Sequence, residues 1–413
     1  MVVSWHLASA MKTLTILGST GSIGTNTLDV IGRHRDLYRV HALVAGSNAD
    51  LLAAQIAEFR PQVAVVADET ALRNLAERLE AVGLERSKWP ELGAGAAARV
   101  AAAAAPEVDF VMSAIVGVAG LEATYVAVRL GKTLGLANKE VMVASGKLVT
   151  EAAALSGAEI IPVDSEHNGA HQCLRAGRRS EVRRLLLTAS GGPFRATPKE
   201  RLSSVTPEEA LNHPTWKMGR RITIDSATMM NKGFEVIEAC WLFGLKPDEV
   251  EVVIHPQSSV HAMVEYADGS VIAQISATDM RMPIQYALTY PQRDAAPVPR
   301  LDWSQPRHWD FAAPDWDKFP LLKLAYQAQR TGGSAPCTLN AADEVAVECF
   351  LRGEIGFTGI AEVVAETLEK MPVSEPATLG DCMLVDEESR RLARGIAAGR
   401  ASGRGRRARV ETN

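Results

Sequence analysis

Three acidic residues in two short polar runs could together hold a divalent metal ion. The run Val163–Asn168 follows a strand-like segment, and residues i and i+2 of an extended chain point the same way, so Asp164 and Glu166 are predicted to converge. Two adjacent carboxylates repel unless they share a proton or a metal, and oxygen ligands favour Mg²⁺ or Mn²⁺. The alternative is a helix cap at Asp164 with Glu166 in the first turn.

The second polar run, Asp225–Glu235, combines a hydroxyl, an amide, an ammonium and a carboxylate. The preceding run Arg221–Ile224 is strand-like, and a helix is predicted from the polar run to about Phe243, with Ser226 as its cap.

On that helix, Asn231, Lys232 and Glu235 lie at i, i+1 and i+4, so all three can face one cleft. Their groups suit a phosphate beside a helix N-terminus, and Glu235 could complete a metal site of three carboxylates. The alternative is a surface helix with a Lys232–Glu235 salt bridge.

A glycine-rich turn, Gly18–Gly24, follows the first strand-like run and opens a helix. In the Gly-x-x-Gly-x-x-Gly spacing, Gly18 permits a tight turn, Gly21 lets the backbone approach a pyrophosphate, and Gly24 lets helix and strand pack closely. The turn therefore indicates a dinucleotide site; the alternative is a glycine-rich turn without a ligand.

The end of the second strand bears on the choice between NAD and NADP. An NAD site places an acid there for the ribose, whereas this chain has Gly46, Ser47 and Asn48. Because Ser47 and Asn48 can donate to a 2′-phosphate, the residues favour NADP. Asp50 is interpreted as a helix cap.

Two further segments are candidates for ligand contact. In Ala189–Phe194, Ser190 ends a strand and precedes two glycines, which suits an anion or a hinge. In Asn212–Gly219, Trp216 and Met218 could cover a ligand or simply pack in the interior. His167 and His171 have i, i+4 spacing, but no glutamate follows the first histidine as in His-Glu-x-x-His and no third ligand is evident, so we do not predict a zinc site.

The elements around these residues predict an α/β protein with three parts. Strand-like runs separated by helical segments predict a Rossmann-type parallel sheet over residues 12–164. Residues 165–290 are typical of an α+β catalytic domain with a flap at about 190–220. Residues 291–318 are typical of a proline-rich linker on the surface, and residues 319–399 are typical of a helical bundle. An arginine-rich tail, 400–413, is predicted to be disordered.

Composition excludes several classes of protein. The chain has 413 residues and a net charge of −5, which gives no global basic field for nucleic acid. Its five cysteines form no Cys-x-x-Cys pair, which indicates reduced thiols in a cytoplasmic setting. No apolar run is long enough for a membrane span. The first ten residues lack the parts of a secretory signal and are predicted to be an extension before Met11.

Taken in order, the motifs resemble those of the 1-deoxy-D-xylulose 5-phosphate reductoisomerase family. Besides the runs above, the resemblance rests on Leu136–Glu140, His213–Gly219, His255–Ser258, Asp279–Pro283 and Leu339–Ala342, and it extends from about Thr13 to Ala397. It implies NADPH- and metal-dependent rearrangement and reduction of a phosphorylated sugar in the non-mevalonate isoprenoid pathway, by a cytoplasmic enzyme that is usually a homodimer.

The resemblance also implies a role for each matching position. Asp164, Glu166 and Glu235 would hold Mg²⁺ or Mn²⁺, and Lys139 and Ser165 would contact the sugar chain. Ser190, Ser226, Asn231, Lys232 and His213 would surround the phosphate, with Trp216 and Met218 on the flap. The NADPH site would include Thr20, Gly21, Ser22, Ile23, Gly46, Asn48, Asn138, Glu140 and Gly219.

One position departs from the family pattern, which often has a cation where this chain has Ser47. The departure implies a weaker preference for NADPH. Two other classes remain open from the residues: another metal-assisted NAD(P)-dependent dehydrogenase of a phosphorylated substrate, and a non-catalytic NADP sensor.

Overall fold

A computed structural model describes residues 11–216 and 218–410 of the chain. Two compact units are present: one comprises the chain to Val141, Val149–Asn168 and Asp279–Pro299, and the other Met142–Leu148, Gly169–Thr278 and the chain from Arg300. The finer three-part division stays a prediction. The predicted N-terminal extension, residues 1–10, lies outside the described residues, as do residues 411–413.

The first unit is built on a parallel sheet of seven strands, in the order β4-β3-β2-β1-β5-β6-β7. The strands are β1 Lys12–Leu17, β2 Tyr38–Val44, β3 Val63–Val66, β4 Glu91–Ala94, β5 Phe110–Ser113, β6 Thr133–Leu136 and β7 Ile160–Pro162. The chain reverses direction across the sheet between β1 and β5, and ligands of such sheets bind at that point, outside the carboxyl ends of the strands. The predicted Rossmann-type sheet is confirmed.

Strand β4 is the one strand of this sheet that the sequence did not indicate. It lies at the edge, none of its residues is fully buried, and its sequence Glu-Leu-Gly-Ala contains no β-branched residue. Its pattern therefore carries little of the signal by which strands are recognised.

The helices of the chain before the linker belong partly to the first unit and partly to the second. They are α1 Ser22–Gly32, α2 Ala49–Phe59, α3 Glu69–Ala81, α4 Gly95–Ala104, α5 Leu121–Arg129, α6 Lys139–Ser156, α7 Ser165–Leu174, α8 Pro207–Ala210, α9 Arg220–Ala227, α10 Met230–Phe243 and α11 Arg281–Thr289. Short 3₁₀ turns lie at Arg86–Lys88, Gly117–Gly120, Arg179–Glu181, Lys199–Ser204 and Pro247–Glu249.

The second unit contains a four-stranded mixed sheet in the order β11-β10-β8-β9. Its strands are β8 Val182–Ala189, β9 Val250–Ile254, β10 Val260–Tyr266 and β11 Val271–Ile275. Strand β10 is antiparallel to both neighbours, whereas β8 and β9 are parallel.

The strand predicted at Arg221–Ile224 is wrong, because these residues belong to helix α9. Three β-branched residues, Ile222, Thr223 and Ile224, suggested a strand, but Ile224 is fully buried and the hydroxyl of Thr223 donates to the carbonyl of Gly219 at 2.9 Å, one helical turn back. Packing of the helix overrides the local preference.

Four helices after the linker form the predicted bundle: α12 Pro320–Thr331, α13 Ala335–Leu351, α14 Phe357–Lys370 and α15 Leu379–Val410. Helix α13 packs against α12, α14 and α15. The tail predicted to be disordered instead continues α15 to Val410, since alanine and arginine are good helix formers and Arg400 pairs with Glu362 and Glu366 of α14.

None of the described helices combines the length and the apolar character that a membrane crossing requires. All five cysteines are free and buried, as expected of packing residues.

Gly24 is predicted to be essential for the packing of α1 on β1. A Cβ atom at this position would lie 2.3 Å from the carbonyl oxygen of Gly18, so Gly24→Ala must displace backbone. We expect it to lower the free energy of unfolding by about 1–3 kcal/mol, measured by urea denaturation. Gly46→Ala is the control, because no atom lies within 4 Å of a Cβ there; an equal loss in both variants would contradict the packing argument.

Candidate active site

The glycine-rich turn leaves β1 in a conformation that glycine alone accommodates. Gly18 has φ of +89°, and a Cβ there would lie 2.5 Å from the carbonyl oxygen of Ala114. Helix α1 begins at Ser22, and its N-cap Gly21 provides no side-chain cap. The first-turn amides of α1 therefore have neither a helical acceptor nor a cap, and they suit the phosphates of a dinucleotide. Thr20 and Ile23 lie on either side of this turn.

The end of β2 also carries exposed polar groups, at Gly46, Ser47 and Asn48. Asn48 is the N-cap of α2, because its Oδ1 accepts from the amide of Leu51 at 3.1 Å, and its amide nitrogen is left to donate. The predicted cap at Asp50 is wrong: this residue lies inside the first turn and pairs with Arg78.

Asn138 places an acceptor without a partner at the carboxyl end of β6. Its Nδ2 donates to the carbonyls of Ile115 and Gly117, the latter at 2.8 Å. Its Oδ1 is buried and accepts no hydrogen bond from any described residue. Because such orphaned atoms are costly, this oxygen fits a ligand donor. Glu140 follows in the first turn of α6.

Asp164 and Glu166 do not sit on an extended chain, so that part of the prediction is wrong. Helix α7 begins at Ser165, and the Oδ1 of Asp164 accepts from the amide of Glu166 at 3.2 Å, which is the helix-cap alternative. The Nζ of buried Lys139 lies 2.7 Å from the Oδ2 of Asp164, and the hydroxyl of Ser165 donates to Glu166 at 3.0 Å.

A left-handed residue, Met229 with φ of +64°, joins α9 to α10. Ser226 therefore lies in the last turn of α9, and the prediction that it caps the following helix is wrong. The turn leaves only two residues between the end of α9 and the start of α10, so the run is split between two packed helices.

On α10 the predicted clustering of Asn231, Lys232 and Glu235 is confirmed. The Nδ2 of Asn231 donates to the Oε1 of Glu235 at 2.7 Å, and Lys232 pairs with its Oε2. The salt bridge of the alternative, between Lys232 and Glu235, is present, but the helix does not lie on the surface there, since Glu235 is 0% and Lys232 4% exposed. A buried acid and a buried cation at adjacent turns are typical of functional sites.

Ser190 and His213 form a hydrogen-bonded pair in the second unit, 3.1 Å apart. The Nδ1 of His213 accepts from the amides of Thr215 and Trp216, so Nε2 carries the proton and donates to Ser190. Burial lowers the pKa of His213, which keeps the ring neutral. The hydroxyl hydrogen of Ser190 is thereby left to donate to an anion.

The glycines after Ser190 bring this loop against α9. Gly192 has φ of +66°, and a Cβ there would lie 2.6 Å from the carbonyl oxygen of Ser226. The predicted phosphate residues Ser190 and Ser226 are therefore held close together by the backbone. Trp216 and Met218 are half-buried in the irregular segment before Gly219, the N-cap of α9.

The three predicted metal ligands are brought together. One carboxylate oxygen from each of Asp164, Glu166 and Glu235 lies within 4.8 Å of the other two, and no other such cluster occurs among residues 11–216 and 218–410. The donor set consists of oxygen atoms alone, which suits a hard divalent cation.

Three family models match successive parts of the chain. They are described as 1-deoxy-D-xylulose 5-phosphate reductoisomerase at residues 14–146, the C-terminal domain of that enzyme at 160–243, and the DXP reductoisomerase C-terminal domain at 275–392. The chain belongs to the 1-deoxy-D-xylulose 5-phosphate reductoisomerase family. The resemblance seen in its motifs is thereby confirmed.

Relatives of this family match over nearly their full length. The reductoisomerase of Solibacter usitatus is 68% identical over 95% of this chain and 99% of its own, and that of Dechloromonas aromatica is 51% identical over 94% and 98%. A solved structure of the Zymomonas mobilis reductoisomerase in complex with NADPH is 45% identical, with a TM-score of 0.87 over 94% of this chain and 99% of its own.

A second solved structure, of a DOX-P reductoisomerase in complex with NADPH, fosmidomycin and magnesium, is 41% identical, with a TM-score of 0.86 over 94% of this chain and 98% of its own. This chain is therefore an oxidoreductase of the reductoisomerase family with the same fold.

One group near the site was missed by the sequence reasoning. Asp343 on α13 is fully buried, and α13 packs on α9, the helix that carries Asp225. Its position four residues after Leu339 and four before Val347, on the same face of a helical pattern as these apolar residues, is the signal that could have found it.

His171, one of the two histidines for which no zinc site is predicted, should make the folded chain less stable at acidic pH. Burial, and to a smaller degree the charge of Arg175, lower the pKa of His171 to about 4. The unfolded chain binds a proton at about pH 6.5, so stability is lost as pH falls from about 6.5 through about 4, by up to about 3 kcal/mol.

His171→Gln should therefore lose less unfolding free energy than the unaltered chain between about pH 7 and about pH 5, measured by urea denaturation. His308→Gln, at an exposed histidine, is the control. Equal pH dependence in His171→Gln and the unaltered chain would show that His171 is not the buried neutral group.

Proposed function

We propose that this chain converts 1-deoxy-D-xylulose 5-phosphate to 2-C-methyl-D-erythritol 4-phosphate with NADPH and a divalent cation, in the non-mevalonate isoprenoid pathway. The observation that carries the proposal is family membership over nearly the full chain, at up to 68% identity. In the overall reaction the substrate rearranges its carbon skeleton and gains a hydride and a proton, while NADPH becomes NADP⁺.

The first unit supports NADPH as the cofactor. The uncapped N-terminus of α1 can receive the pyrophosphate, and Ser47 and Asn48 stand where a 2′-phosphate needs donors. The orphaned Oδ1 of Asn138 offers an acceptor in the same unit. NADPH would supply the hydride for the reduction step.

The cluster of Asp164, Glu166 and Glu235 supports a divalent cation, Mg²⁺ or Mn²⁺. When bound, the cation would act as a Lewis acid on the substrate ketone and the developing negative charge. Lys139, which pairs with Asp164, and Ser165, which donates to Glu166, are proposed to contact the sugar chain. Both side chains can reorient toward the hydroxyl groups of a substrate while the carboxylates remain as ligands.

Neutral donors and one buried ammonium support a phosphate subsite in the second unit. Ser190, Ser226, Asn231 and Lys232 supply hydroxyl, amide and ammonium groups, and His213 holds Ser190 in place. Because the phosphate takes no part in the rearrangement, binding there can position the reacting carbons and stabilise closure of the segment carrying Trp216 and Met218.

The cofactor and the cation would supply the reactive chemistry, and the side chains of the protein would position the substrate. The lysine and hydroxyl side chains bind and orient the substrate, and the flap at about 190–220 would exclude water while the carbon skeleton cleaves and rejoins by a retro-aldol and aldol sequence. Gly219 would then line the cofactor side of that segment. The direct test is NADPH oxidation with 1-deoxy-D-xylulose 5-phosphate, with and without Mn²⁺, together with identification of the product.

Absence of product would overturn the proposal. If NADPH is oxidised only with a different phosphorylated substrate, the result would favour another metal-assisted NAD(P)-dependent dehydrogenase. If NADPH binds but no substrate is turned over, the result would favour a non-catalytic NADP sensor.

We also propose that the protein is a cytoplasmic homodimer. The five free, buried cysteines fit a reducing compartment. Edge strand β11 exposes Val271 by 50% and Ile272 by 39%, and an exposed apolar edge commonly pairs with another chain. A monomer mass by light scattering would contradict the dimer.

Loss of one ligand should separate cation binding from cofactor binding. We expect Glu235→Gln to reduce turnover by at least about 10³-fold, because the cation loses a charged ligand, while the dissociation constant for NADPH changes little. Steady-state kinetics and fluorescence titration measure the two effects. Glu238→Gln, at a buried carboxyl of the same helix outside the three, is the matched control; normal turnover of Glu235→Gln with saturating Mg²⁺ would contradict the ligand assignment.

A cation at position 47 should strengthen the NADPH preference. We expect Ser47→Arg to lower the dissociation constant of NADPH by about threefold to tenfold, because an arginine can pair with the 2′-phosphate. NADH affinity should not change, and Ser47→Gln, with a long uncharged side chain, is the control. If the affinity of Ser47→Arg for NADPH is unaltered, the 2′-phosphate does not lie beside this residue.

A further inference from the structure

A pair of buried carboxyl groups joins helix α9 to helix α13. Asp343 of α13 is 0% exposed and Asp225 of α9 is 4% exposed. The two helices pack on each other, and Arg221 of α9 reaches both Asp225 and Glu344, the neighbour of Asp343 on α13. Two carboxyl groups can share a hydrogen bond only when one of them carries a proton, because two carboxylates offer only acceptors.

Surrounding cations compensate Asp225 and the acids beyond it. On α9, the Nε of Arg221 lies 3.6 Å from Asp225, and its Nη1 lies 2.6 Å from Glu344 of α13. From α15, Arg390 pairs with both Glu344 and Asp386. From α10, the ring of Phe234 covers the guanidinium of Arg221 at 5.9 Å. Two guanidinium groups thus compensate three carboxyl groups, those of Asp225, Glu344 and Asp386.

Asp343 is the acid that this arrangement leaves without a donor. Neither of its oxygens accepts a hydrogen bond from an N–H or O–H group of the described residues. An ionised carboxylate in that setting would be buried and unsolvated beside a second carboxylate, whereas a neutral acid can donate its proton to Asp225. The geometry therefore assigns the proton to Asp343.

One member of the pair, Asp225, is the neighbour in sequence of Ser226, a residue of the proposed phosphate subsite. Asp225 immediately precedes Ser226, and the backbone of Gly192, two residues after Ser190, packs against Ser226. A bond that fixes Asp225 therefore fixes the end of α9 and the loop that rests on it.

We propose that Asp343 is a positioning residue that keeps a proton, donates it in a hydrogen bond to Asp225, and so holds Ser226 in place for the substrate phosphate. The statement that Ser226 is held for the substrate phosphate rests on the proposed function.

A proton kept on Asp343 makes the stability of the fold depend on pH. Burial first, and then the charge of Asp225, raise the pKa of Asp343 well above its ordinary value. The folded chain therefore holds a proton that the unfolded chain releases above about pH 4. Stability from this group is complete below that pH and decreases as the pH rises toward the raised pKa.

Two substitutions of Asp343 and one control test the proposal. Asp343→Asn keeps a donor that cannot ionise, and Asp343→Leu removes the donor. Asp386→Asn neutralises a buried acid of the same charged cluster, which pairs with Arg390 of its own helix α15. The melting temperature of each is measured from about pH 5 to about pH 8, with and without inorganic phosphate, and kcat and KM are measured with 1-deoxy-D-xylulose 5-phosphate.

We expect the melting temperature of Asp343→Asn, relative to the unaltered chain, to rise with increasing pH, and its KM to stay near normal. Asp343→Leu should raise KM by roughly tenfold with a smaller change in kcat, and should reduce the stabilisation by inorganic phosphate. Asp386→Asn should lower the melting temperature without changing KM.

Two outcomes overturn the proposal. One is a melting-temperature difference between Asp343→Asn and the unaltered chain that stays constant or falls with pH; the other is a KM in Asp343→Asn as high as in Asp343→Leu. If the unaltered chain does not turn over the substrate, the proposed function fails, but the pH dependence of the melting temperature still decides the protonation of Asp343.

Discussion

The site depends on the cost of gathering carboxylates where little water reaches them. Asp164, Glu166 and Glu235 have oxygens within 4.8 Å of one another, and Glu235 is fully buried. Like charges at this separation are unfavourable unless cations or donors compensate them. Lys139 and Lys232 each pair with one of these acids, so the chain already devotes two buried ammonium groups to the cluster.

In each unit, the polar groups of the site lie at the ends of strands or helices, which fix their positions. In the first unit, the carboxyl ends of parallel strands precede the turn at Gly18, the donors at Ser47 and Asn48, and the acid Asp164. In the second unit, the left-handed Met229 separates Ser226 from the acid and amide of α10. The net charge of −5 is thus compatible with two phosphorylated ligands, because the positive potential is local.

The sequence predicted those parts of the fold that depend on short-range pattern. The strands of the first sheet, apart from β4, and the helices of the bundle have strong periodicity, and the motif residues have distinctive spacing. It failed where tertiary packing overrides local preference. The run Arg221–Ile224 is rich in β-branched residues yet helical, and Asp164 and Glu166 lie on either side of the first residue of a helix. The tail continues a helix, and Arg400 at its start forms ion pairs with α14. The contact between Asp225 and Asp343 joins positions far apart in sequence, so no spacing could reveal it.

Direct titration with Mn²⁺ tests the central claim, that three carboxylates form one cation site. We expect one ion to bind per chain by calorimetry, in competition with Mg²⁺ and without a requirement for NADPH. Failure to bind Mn²⁺ at millimolar concentration, or binding of several ions with equal weak affinity, would contradict it and would remove the physical reason for placing these three acids together.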